Sequence, residues 1–182
     1  MIVIGIVAAA ALLSVFYFNR IVKLENMSKE AWSDVNVQLK RRYDLIPNLV
    51  TVVKGYMGHE KNTLKELTEL RNTALKKDIP ELKELTENKI ADSLRHIIAL
   101  AENYPDLKAS EQFLELQRNL ADIEDKLQIS RRYYNATIRN YNIALHSFPS
   151  NIIANIFNFK EQAYFEIDTA ESKNIKVAFN EK

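Results

Sequence analysis

The chain has no cysteine, only three glycines and only four prolines among its 182 residues. Without cysteine there is no disulfide, no thiolate nucleophile and no cysteine-based metal site, and the redox compartment stays undetermined. Three glycines (Gly5, Gly55 and Gly58) leave almost no material for β-hairpins or for a loop that cradles phosphate. An excess of one charge is also missing. Lys and Arg number 25 against 24 Asp and Glu, a formal +1, which argues against nucleic acid as the main partner. What is present is 47% hydrophobic and 27% charged, the balance of a folded helical domain rather than a disordered one. The length allows one domain plus an anchor.

Residues 1–18, MIVIGIVAAAALLSVFYF, carry no side-chain charge. At 1.5 Å per residue they reach about 27 Å, near the minimum for a membrane-spanning helix. Tyr17 and Phe18 form an aromatic edge, and Arg20 and Lys23 follow at once. A cleaved secretory signal would want basic residues before the apolar run, and a buried core helix would want a polar face. A retained anchor over residues 1–19 is the preferred reading, with the lipid bilayer as its partner. Basic residues after the span place the soluble part in the cytoplasm.

The longest pattern lies further on. Alternating steps of three and four from Phe113 land on Leu116, Leu120, Ile123, Leu127, Ser130, Tyr134, Thr137, Tyr141, Ala144 and Phe148. That is a helical seam held for about five heptads. A second long helix, from Ile21 to Tyr56, shows Ser28, Ala31, Val35, Gln38, Arg42, Leu45, Leu49, Val52 and Tyr56 at the same stepping. Pro47 predicts a kink near Asp44 to Ile46 rather than a stop. Between the two lie a helix from Asn62 to Lys77, with Thr63 and Glu66 spaced as a capping box, and one from Glu81 to Tyr104 carried by Leu94, Ile97 and Ala101. Pro105 and Asp106 turn the chain, and Ser110 is placed to cap the last helix. Short turns make consecutive helices antiparallel. The expected fold is therefore all-α: a single N-terminal transmembrane helix, then a long antiparallel up-down four-helix bundle over residues 20–160, with a short apolar C-terminal segment. That segment, Ile152 to Phe159, returns toward the bilayer as an interfacial helix or as a plug for the open end of the bundle. The plug is preferred because a dense Lys/Arg face is missing. Residues 161–182 read as a polar, loose tail.

Little here points to chemistry. A di-iron bundle needs Glu three positions before His, yet Tyr56, Ser93 and Ile143 precede His59, His96 and His146. His59-Glu60 has no second histidine four residues on, so the metalloprotease motif is absent too. Glu60, Glu66 and Glu69 scatter over faces expected to be exposed. No catalytic, cofactor-binding or metal-binding residue and no cofactor is expected. Arg42 breaks the apolar stripe. Either the stripe drifts to Leu39 and Ile46 and leaves Arg42 solvated, or Arg42 lies inside, satisfied by amides and hydroxyls of the last helix. Lys40, Arg41 and Arg42 with Arg131 and Arg132 form a basic group about 33 Å beyond Phe18, too far for lipid head groups. An internal ion-pair and amide network between the first and last helices is preferred to a contact with an acidic partner. Tyr134-Asn135 and Tyr141-Asn142 repeat at seven residues, either as buried polar groups that fix register or as a polar groove for a partner.

Five blocks in order resemble one family: EAWSDVNVQLKRRYDLIPNLV (30–50), GYMGHEKNTL (55–64), YPDLKAS (104–110), RRYYNATIRNYN (131–142) and FPSNIIANIFNF (148–159), followed by YFE (164–166). They resemble the LemA family over nearly the whole chain. The resemblance implies a bacterial, single-pass protein of the inner membrane whose soluble part is a long helical bundle, and it implies no established activity. One branch of that family takes part in magnetosome membrane biogenesis. The chain departs from the family at Asn158, where relatives often carry glycine, and at Leu94 to Ile98, where a small or glycine-containing stretch is common. The function expected is a non-catalytic scaffold or adaptor that engages another membrane protein. A membrane metalloprotease is one such partner by family analogy. The alternatives are a membrane-shaping protein that forms homo-oligomers along the bilayer, and an enzyme whose site only folding assembles.

Overall fold

The computed structural model describes residues 1–57, 61–76 and 80–165. Regular structure among them is entirely helical: α1 (Ile2–Tyr56), α2 (Lys61–Ala74), α3 (Pro80–Ala101), α4 (Pro105–Lys108), α5 (Glu111–His146) and α6 (Ser150–Ile156). The apolar run and the first soluble helix are one element. α1 continues unbroken for 55 residues, about 80 Å at the α-helical rise. Its uncharged beginning is exposed from Ile2 through Phe16, so it is no core helix of this chain. It is the one helix among the described residues long and apolar enough to cross a membrane.

α1 packs mainly on α5. Trp32 meets Tyr134 with ring centroids 5.3 Å apart, and ten residues further along α1, Arg42 reaches back to Glu124. The buried stripe of α1 is Ala31, Val35, Leu39, Arg42, Tyr43, Ile46, Leu49 and Val53. The expected Gln38, Leu45 and Val52 have each given way to the next residue. On α5 the expected seam holds from Phe113 to Leu127 and again at Tyr134, Thr137, Tyr141 and Ala144; Arg131 takes the inward place of Ser130, and Phe148, past the end of the helix, is 81% exposed. The buried face of a packed helix is about 100° wide or more, so residues beside the three-four row also turn inward.

α1 stays helical through Pro47. Proline has no N–H, so the carbonyl of Tyr43, four residues earlier, loses its helical donor. Arg71 on α2 fills the gap, its Nε donating to that carbonyl at 2.8 Å. Pro47 thus creates the acceptor that ties α2 to α1. Leu64, Leu67 and Ala74 bury the inner face of α2. Because α2 already begins at Lys61, Thr63 lies within it and is not the expected cap. Ser110 does occupy the position before α5 but makes no capping bond through its side chain.

α6 ends in a Schellman turn. The Phe159 amide donates to the Ala154 carbonyl at 3.0 Å and the Asn158 amide to that of Asn155 at 3.3 Å. This closure requires a left-handed residue, and Asn158 supplies it with φ of 56°. Asparagine is the usual substitute for glycine there, which explains how the chain departs from the family pattern without losing the turn.

Removing the α2 donor should be costly only while Pro47 is present. Arg71→Met is expected to lower stability by about 1–3 kcal/mol, the cost of an unpaired buried carbonyl. In a Pro47→Ala background, where the helical N–H returns, the same change should cost less than half as much. Urea unfolding of the detergent-solubilised chain, followed through Trp32, checks both.

Candidate functional site

The buried stripe of α1 takes in Leu39 and Ile46 and keeps Arg42 as well, which is 1% exposed. A lone buried guanidinium would be prohibitive, and two carboxylates meet it. Its Nη2 donates to Glu87 of α3 and its Nη1 to Glu124 of α5, the latter at 3.1 Å. The Tyr43 hydroxyl donates to the other oxygen of Glu87, which is fully buried. So Arg42 is inside, but the amides and hydroxyls of the last helix are not what hold it. Carboxylates from two helices do, and the phenol of the neighbouring Tyr43 holds one of them, Glu87. Burial, then the charge of Glu87, pushes the Tyr43 phenol far above the ordinary tyrosine range. It remains a donor and cannot serve as a base near neutrality.

Glu66 and Glu69 are exposed as expected, Glu60 lies outside the described residues, and Glu87 contradicts the expectation that acids scatter outward. The signal for it was present. Glu87 lies in three-four register with Ile90, Leu94, Ile97 and Ala101, all buried. The basic group divides. Lys40, Arg41 and Arg132 are exposed, while Arg131 is 8% exposed. The Arg131 guanidinium lies 4.7 Å from the centre of the Phe165 ring, and its Nε has no hydrogen-bond partner. Burial first, then the nearby Arg42 charge, lowers its pKa, with Glu124 and Glu87 pulling the other way. Two guanidiniums and two carboxylates make the cluster neutral as a whole.

A groove of about 400 Å³ opens beside this cluster between α3 and α5, walled by Leu94, Ile98 and Leu120 and edged by Arg95, Glu124 and Arg131. The groove can hold an apolar group next to a guanidinium. His96 and His146 are exposed, His146 beside Glu161, and His59 lies outside the described residues. Among the described residues no three acids or histidines gather as metal ligands.

The Tyr-Asn repeat has a use that neither expectation foresaw. Residues 161–165, expected to begin a loose tail, run extended beside α5. The Asn142 amide group bonds both the carbonyl and the N–H of Gln162, at 2.9 and 3.1 Å. Asn135 does the same for Phe165, both bonds at 2.9 Å. Tyr141 donates to the Lys160 carbonyl at 3.0 Å and Tyr134 to that of Ala163 at 3.3 Å. Seven helical residues rise about 10.5 Å and three extended ones span about 10 Å, so a heptad of asparagines matches a tripeptide. α1 closes the other side, with Ser28 donating to the Gln162 side chain at 2.7 Å and Trp32 stacked 5.8 Å from Phe165. The partner of this polar face is the chain's own strap.

Two substitution sets probe the site. Arg42→Leu and Glu87→Leu should each cost about 3–5 kcal/mol by stranding a buried charge, and the double substitution should recover most of the loss; unfolding midpoints read this. Asn135→Ala should free the strap at Phe165, costing about 1–3 kcal/mol. It should shift Trp32 emission toward that of an exposed indole as the Phe165 ring leaves.

Comparison with known proteins finds relatives over most of the chain. A protein LemA from Metamycoplasma hominis is 26% identical over 177 residues, covering 89% of this chain and 81% of that protein. Magnetosome protein MamQ 2 from Paramagnetospirillum magneticum is 25% identical over 190 residues, covering 90% and 70%. Magnetosome protein MamQ from Magnetospirillum gryphiswaldense is 30% identical over 74 residues, covering 41% and 27%. The model of the LemA family matches residues 31–179, which include Arg42, Glu87, Glu124 and both Tyr-Asn pairs: the chain belongs to the LemA family.

Proposed function

We propose that this chain is a membrane-anchored helical scaffold without catalytic activity, which engages another membrane protein. The carrying observation is the continuity of α1, which joins an exposed, uncharged run to the buried core without a break. The long helices α1, α2, α3 and α5 form an antiparallel up-down four-helix bundle. In support, partners on α5 fall in number as those on α1 rise, from Trp32 with Tyr134 to Arg42 with Glu124. Residues 1–18 cross a bacterial inner membrane once, and Arg20 and Lys23 just past the run favour a cytoplasmic bundle. The groove between α3 and α5 is the surface offered to the partner, its apolar floor and single stacked guanidinium suiting an apolar residue flanked by an acid.

A second reading, a membrane-organising protein acting by self-assembly, draws support from the two magnetosome relatives and from the exposed apolar side chains of α6. A photo-crosslinking residue at Gln128, on the rim of the groove, separates the two in native membranes. The scaffold reading expects one membrane protein captured in near-stoichiometric yield. Adducts only between copies of this chain would favour self-assembly, and no adduct with any protein would sink both.

A further inference from the structure

α6 shows two apolar sides. Ile153 and Ala154 are buried with Ile21, Tyr141 and Leu145, which is the plug expected from the sequence. Ile152, Ile156 and Phe157 remain exposed beside Phe148 just before the helix. Four large apolar side chains on so short a stretch make a patch that water does not favour. Its height is fixed by aromatic contacts. The Phe157 ring lies 4.7 Å from that of Phe18, and the Phe159 ring 5.8 Å from it. Phe18 is the last residue of the uncharged run, two positions before Arg20. The patch therefore stands level with the end of that run and is continuous with its apolar surface.

We infer that the exposed side of α6 is a second membrane contact, seated in the interfacial layer of the bilayer with Phe148, Ile152, Ile156 and Phe157 toward the acyl chains. The inference rests on the reading of residues 1–18 as the span. α6 itself has neither an acidic nor a basic residue, whereas a free interfacial helix draws on a basic face to bind. The difference follows from tethering. α1 already holds α6 at the surface, so the local concentration of lipid does what charge would otherwise do. Asn155 and Asn158, both exposed, supply groups that can hydrogen-bond at head-group depth. The same contact fixes how α1 is rotated about its own axis, since only one side of the bundle carries α6.

The absence of cysteine makes the test clean. Full-length chains carrying Ala9→Cys, Val37→Cys, Ile156→Cys or Phe157→Cys are labelled with an environment-sensitive fluorophore. They are reconstituted into vesicles of phosphatidylcholine and phosphatidylglycerol containing lipids spin-labelled at a shallow or a deep acyl carbon. Labels at Ile156→Cys and Phe157→Cys should be quenched at least twofold by the shallow lipid and less by the deep one. The label at Ala9→Cys should show the reverse, and that at Val37→Cys, about 28 Å past Phe18 along the helix, no quenching. If the α6 labels behave like Val37→Cys while Ala9→Cys is quenched, the α6 contact is wrong and the span stands. No quenching at Ala9→Cys overturns the span and the inference together. Blue-shifted but unquenched α6 labels, with disulfide-linked dimers formed by unlabelled Phe157→Cys under an added oxidant, would assign the patch to a second copy of this chain and overturn the lipid contact.

Discussion

A guanidinium cut off from water must be met by opposite charge, and Arg42 imposes that demand on three helices at once. Glu87 has to come from α3 and Glu124 from α5. Any slide of one helix past another by a single turn would separate the ions by about 5 Å and strand Arg42 and Glu87, both cut off from water. Leucine and isoleucine layers above and below tolerate such slips far better, because one apolar contact resembles the next. The ion cluster therefore contributes less to net stability than to uniqueness of register. Tyr43 serves the same end by filling the second oxygen of Glu87.

The parts of this arrangement that could be read in advance are those that repeat locally. The seam from Phe113 to Leu127 lies where its periodicity puts it, because five large apolar residues at helical spacing have one inward face. The later half held at Tyr134, Thr137, Tyr141 and Ala144 and gave way only at Ser130, a small polar residue, and at Phe148, which lies beyond the end of the helix. Glu87 was legible only to someone who extended the α3 stripe backward and accepted an acid on it. Its partner is 45 residues away, and no local rule joins the two. The asparagine pairs were visible as a repeat, but the ligand was hidden. A short extended segment has no periodicity of its own, and nothing in the residues around Gln162 and Phe165 marks them for capture.

Family patterns and physical requirements meet at two places. At Asn158 the backbone needs a left-handed residue, and the chain satisfies that need with asparagine rather than glycine. From Leu94 to Ile98, a stretch that the family resemblance implies is smaller elsewhere, Leu94, Arg95 and Ile98 wall the groove beside Arg131. The first change preserves a turn. The second alters a surface, and it is on surfaces that members of one family differ in what they meet.

The unbroken course of α1 has a mechanical consequence. A helix without glycine or proline between residues 6 and 46 resists bending and twisting, so it behaves as a shaft rather than a string. With its apolar end held in a bilayer, tilting or turning that end sweeps the opposite end through an arc, carrying the α2 docking point near Pro47 about 44 Å from Phe18. Bilayer thickness and lateral pressure, which set the tilt of a span, thereby become settings of where the far tip points.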